Sequence, residues 1–201
     1  IALMRDAICP GSIDGVPGSQ TQNGLIAFQV KHGLGITGML DNDTRAMLQL
    51  REAPLTTYTV TEADVARLRP WPEGWEAKSR LDRMDYSSVL ELVAEKSWTH
   101  PRQIQRLNPQ ITDWEHIQPR TVLAMPRVFR AQPSTRPMRI LIRLSAKTMQ
   151  LYDGDSQLLA HFPCSIARRV EKRPVVRLEV VTVAPNPNYT FNPANFPESG
   201  E

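Results

Sequence analysis

The stretch from Gly11 to Leu50 constrains this chain most, because its glycines and helix caps fix where short helices begin and end. Ser19 followed by Gln22 forms a capping-box pair at a helix start. Leu25, Ala27, Phe28 and Val30 then recur at helical spacing and predict one apolar face. Gly33 falls where that helix should stop, in the left-handed conformation that glycine adopts at little cost. Asp41 caps a second helix, for which Ala46, Met47 and Leu50 supply an apolar face. Gly15 and Gly38 mark turns ahead of the two helices. The expectation is a small helical unit closed by tight turns.

The residues that carry this pattern also carry a resemblance. Ile13-Asp14-Gly15, Thr21, Ala27-Phe28-Gln29, Gly33-Leu34, Thr37-Gly38 and Leu40-Asp41-x-x-Thr44 resemble the peptidoglycan-binding domain of many cell-wall hydrolases and transpeptidases. The resemblance covers residues 1–53, with residues 1–9 as the tail of a first helix that is otherwise missing. It implies a shallow binding groove, in which Asp14, Phe28 and Gln29 are the candidate contacts. Asp14 also suits a turn former, and Phe28 a core side chain.

After a short linker, Ala53-Pro54-Leu55-Thr56, the order becomes strand, helix, helix, strand. Thr57-Tyr58-Thr59-Val60 is β-rich. Ser88 with Glu91 opens a helix over Val89–Lys96, with Leu90, Val93 and Ala94 as its buried stripe. A second helix begins near Thr99, carries Pro101 in its first turn, and halts at Asn108-Pro109. Ile117–Pro126 reads as a turn and a strand. That order, with Leu107-Asn108-Pro109 and Val122-Leu123-Ala124-Met125-Pro126, resembles a LysM module over residues 57–127, with an insertion at 61–86. The resemblance implies binding of glycans containing N-acetylglucosamine, with contacts at Thr61, Asn108, Pro109 and Gln110. Trp71, Trp75 and Trp98 suit either core packing, their commoner fate, or stacking on sugar faces.

A proline-bearing linker, Ala131–Pro137, leads into a third block at 138–201. Met138–Leu144, Met149–Tyr152, Leu158–Ile166 and Leu178–Val183 read as strands, with a hairpin turn at Asp153-Gly154. Leu144–Tyr152, Phe162–Ala167 and Asn186-Pro187-Asn188-Tyr189 resemble the opening half of an L,D-transpeptidase catalytic domain of the YkuD type. That resemblance implies a β-sandwich in which a cysteine in a Ser-His-Gly-Cys motif, activated by histidine, cross-links peptidoglycan stem peptides. The motif does not occur in these 201 residues. Cys164 and His161 lie three positions apart on a predicted strand, so their side chains should point to opposite faces, and no catalytic residue is assigned.

The fold class expected is therefore multi-domain α+β: a helical peptidoglycan-binding domain, a βααβ LysM-like domain and the opening strands of a β-sandwich. With 17 prolines and 41% apolar residues, the chain suits several small units better than one large core. A net charge of +3, with arginines spread without aromatic interleaving, gives no nucleic-acid surface. No transmembrane segment, metal-ligand spacing or cofactor motif is present, and Cys9 and Cys164 are too far apart in sequence to suggest a disulfide. The partner expected is peptidoglycan, in a periplasmic or secreted, wall-associated setting. Two other readings share these features: an active L,D-transpeptidase with its site in a missing C-terminal part, and a non-catalytic glycan-binding adaptor. In each, the open sheet needs a cover, from the remainder of a catalytic domain or a partner chain.

Overall fold

The computed structural model describes residues 1–129, 131–133 and 135–185, without the side chains of Trp75 and Ser79. Its element order is mixed, with small helices in the N-terminal region and two small antiparallel sheets.

Three helices form the first module: α1 (Ala2–Arg5), α2 (Ser19–Lys31) and α3 (Asn42–Met47). The α2 cap falls one residue earlier than expected, on Gly18, whose N–H donates to Thr21 Oγ1 at 3.5 Å. Ser19 is thus the first helical residue, and its pairing with Gln22 is not the device used. Gly33 has φ +65°, the left-handed stop predicted for it. Asp41 caps α3 by accepting from Thr44 N at 2.9 Å. The apolar face expected on α3 is not buried: Ala46, Met47 and Leu50 are exposed, and Thr44 is the residue of that helix that turns inward. Val30 likewise faces outward, while Gly24, Ala27 and Phe28 form the inner stripe of α2.

In the second block, β1 (Leu55–Thr59) pairs antiparallel with β2 (Val122–Pro126). Between them lie α4 (Glu62–Ala66), α5 (Trp75–Ser79), α6 (Val89–Lys96) and α7 (Pro101–Leu107). Ser88 caps α6 by accepting from Glu91 N, and His100 Nδ1 caps α7. Val60, Val89, Leu92, Val93, Ala94, Ile104, Ile117 and Leu123 make one buried core. Val65, Leu68 and Tyr86 pack against it, so part of the stretch read as an insertion belongs to the body of this block.

The third block is a three-stranded antiparallel sheet of β3 (Arg139–Arg143), β4 (Thr148–Tyr152) and β5 (Leu158–Pro163). Asp153 Oδ1 closes the β4–β5 turn by accepting from Asp155 N and Gln157 N. The expected fourth strand, Leu178–Val183, has no partner among the described residues and is exposed. Alternation gave it strand character, but a ladder needs a neighbour, and none meets it here. Asn186–Tyr189 lies outside the described residues.

Among the described residues, two short seams join the blocks. Ile8 bridges His161 in parallel, with Cys9 N donating to His161 O at 2.8 Å and His161 N to Ala7 O at 3.0 Å. Ile13 bridges Thr99, with Ile13 N donating to Trp98 O and His100 N to Ile13 O. The edge of β5 is thereby covered from within the chain, whereas Ile140 and Ile142 on β3 remain exposed.

Candidate functional site

Within the first module, a single amide organises the loop between α2 and α3. Gln29, on α2, is fully buried. Its Oε1 accepts from Thr37 N at 3.0 Å and Gly38 N at 2.8 Å. Its Nε2 donates to Thr37 Oγ1, Met39 O and Thr44 Oγ1 at 2.9 to 3.0 Å. A buried amide satisfied on both ends fixes its surroundings, because displacing it strands several polar groups at once. Gly38 suits this turn, since its φ of +67° strains any residue with a Cβ and that Cβ would sit tightly against Gln22 and Ile26 at 3.1 Å. Thr37 Oγ1 also donates to Asp41 at 2.6 Å; that bond, with those from Thr44, holds the Asp41 carboxyl below the usual carboxylate range.

This scaffold pushes Ile36 and Met39 outward, 65% and 63% exposed, on the tip of the loop. Phe28 is buried in the small core with Leu3, Ile8 and Ala27, and its ring stacks obliquely on His32 at 4.4 Å. Phe28 and Gln29 therefore lie beneath the surface. Asp14 is exposed and shapes a turn, accepting from Val16 N at 2.9 Å, and the next residue, Gly15, has φ +78°. That turn packs beside α7, where Gln103 would meet a Cβ placed on Gly15 at 2.9 Å.

The second-block candidates divide similarly. Thr61 caps α4, with Asp64 N donating to its hydroxyl while Thr61 N and Oγ1 donate back to Asp64 Oδ2. Tyr58 OH donates to the same oxygen at 2.6 Å. Burial and that carboxylate push the Tyr58 phenol up to about 12. Burial works to raise Asp64, but the bonds from Tyr58 and Thr61 outweigh it and leave the carboxyl below its ordinary value. Asn108 is fully buried, joining Ile104 O at the end of α7 to both Ala124 O and Ala124 N of β2. Pro109 and Gln110 follow it at the surface. Helix α7 thus has the Asp14 turn near its first residues and Asn108–Gln110 at its end, about 10 Å away at 1.5 Å per residue. Asp14, Asn108, Pro109 and Gln110 are in this way brought to one helix, while Phe28, Gln29 and Thr61, the last at the start of α4, are not.

Cys9 and Cys164 are both free, half-buried thiols. Their segments, read as distant in sequence, run close together, because Cys9 donates to the strand that Cys164 follows. His161 is buried on β5, and burial drops its pKa to about 4, so it is neutral at pH 7. No group of three or more His, Cys, Asp or Glu among the described residues is placed to hold a metal ion.

What sequence reasoning missed is the joining of Gln29 to Thr37 and Thr44. All three residues stand in the quoted motifs, but only the folded loop shows that one amide holds both threonines. No helix among the described residues is long and apolar enough to cross a membrane. No curated protein matches the chain. Residues 2–48 match the family model of the peptidoglycan binding domain, spanning α1, α2 and α3. The chain carries at its N-terminus a peptidoglycan-binding domain, which supports a peptidoglycan-binding role and is compatible with cell-wall or extracellular association.

Proposed function

We propose that the chain is a wall-associated, periplasmic or secreted protein of L,D-transpeptidase-like architecture, whose N-terminal domain holds peptidoglycan through the α2–α3 loop and the Asp14 turn. The match over residues 2–48 supports the peptidoglycan-binding part of this reading. Exposed Ile36 and Met39 offer apolar contact, and Gln29 and Phe28 keep the loop in shape from below. The LysM-like block would add glycan contacts at Pro109 and Gln110, positioned by Asn108, and at Thr61 at the start of α4. No residue of the 201 is given the cross-linking chemistry. Among the described residues Cys164 has no base in hydrogen-bond contact: His161 is buried, with its Nδ1 turned to the Gln150 amide at 3.4 Å.

Sedimentation with purified peptidoglycan sacculi tests the reading. The chain should pellet with the sacculi, and the double change Ile36→Asp, Met39→Asp should weaken pelleting at least tenfold without lowering the melting temperature. A chain that stays in the supernatant overturns the proposal.

A further inference from the structure

We propose that a cleft beside Trp71, in the second block and remote from the N-terminal domain's loop, is a binding site for a neutral saccharide. The cleft has a volume of about 310 Å³ and lies between the 67–86 segment and the outer side of α6. That is the lower end of the size range of small-ligand sites.

Its main wall is an aromatic ring held in place. Trp71 is 46% exposed, although its indole N–H is already satisfied by donation to Asp85 O at 2.7 Å. Tryptophan normally hides its ring surface, so a ring that is anchored at its polar end and open on its apolar body presents a stacking platform. The negative face of an indole attracts the polarised C–H groups on one face of a pyranose. The Lys78 ammonium, 5.6 Å from the ring centroid, helps to fix the plane. Tyr86 contributes a second ring, over which the Arg67 guanidinium lies at 5.8 Å.

The polar groups around the platform favour an uncharged ligand. Asp85 holds Arg67 at 2.8 Å and Arg83 at 3.0 Å, and the positive charge left over is offset by Glu91 and Glu95, so the wall presents no strong excess of either sign. Glu91 is oriented by Ser87, accepting from its N–H at 2.7 Å and its hydroxyl at 2.6 Å. Glu95, one helical turn along α6, completes the rim. A free anion would face Asp85, Glu91 and Glu95, and a cation would face the two arginines. A sugar avoids both penalties, since its hydroxyls can donate to the remaining carboxylate lone pairs and accept from the remaining guanidinium N–H groups.

The test titrates the 201-residue chain with the β-1,4-linked tetramer of N-acetylglucosamine, followed by calorimetry. The choice of an acetamido sugar rests on the peptidoglycan-binding reading; the cleft itself does not. Trp71→Ala should weaken binding at least tenfold, and Glu95→Ala, an exposed change that leaves the fold intact, should weaken it several-fold. Val175→Ser, an exposed change outside both sites, should leave tetramer binding unchanged. A chain that binds no tetramer, or Trp71→Ala and Glu95→Ala variants that bind as tightly as the original, overturns the proposal. So does tighter binding of an acidic or basic peptide at this cleft. Loss of sacculus pelleting with tetramer binding intact would instead overturn the wall reading and leave this one standing.

Discussion

The N-terminal domain and the second block solve the same problem of small size differently. The second block closes on itself, with eight buried apolar residues drawn from its own helices, strand β2 and connecting segments. The N-terminal domain has a core cluster of five, and one of them, Leu158, belongs to β5 of the sheet, with Tyr152 packed beside it. It adds a buried polar centre on Gln29, which does the positioning that apolar side chains do in the other block. A unit near fifty residues buries too little surface to be stable with ease, so borrowed contacts and a satisfied polar network matter more to it.

The sharpest way to break this comparison is to open each core separately. Leu123→Ala removes a fully buried side chain and should cost about 4 kcal/mol, raising hydrogen exchange across β1, β2 and α6 but not across α2. If α2 loses protection equally, the blocks are one cooperative unit and the contrast is wrong. Gln29→Ala should cost about 3 kcal/mol by stranding the Thr37 and Gly38 amides, with faster exchange confined to the α2–α3 loop.

Acid probes the seam where the domain leans on the sheet. His161 has a folded pKa near 4, below its unfolded value of 6.5, so the unfolded state binds more protons between those limits. Stability should therefore fall as pH drops from about 6.5 to 4, by no more than roughly 3 kcal/mol in all. The N-terminal domain should loosen first, because its residues 7–9 bracket His161. His161→Gln should flatten that dependence in a melting series, and an unchanged slope would remove His161 from the account. The smallest effect belongs to the self-contained block: Ser88→Ala deletes the α6 cap and should cost about 1 kcal/mol, read as a few degrees in the melting temperature.

Sequence alone determined the features set by local chemistry. Asp41, Ser88 and Gly33 work where the sequence places them, because a cap or a left-handed stop depends only on neighbouring backbone. The same holds for Asp153 at its hairpin and for the N-terminal domain's motifs, whose family match follows from residues close in the chain. The tertiary structure alone decided which apolar faces are covered. Met47, Leu50 and Leu178–Val183 carry the right periodicity but face outward, while Thr44, Gln29 and Asn108, polar by composition, are buried and bonded. It also decided that Ile8 and Ile13 join the first domain to both later blocks. Periodicity states that a face is apolar, but burial requires a second surface of matching shape, and that surface lies elsewhere in the chain.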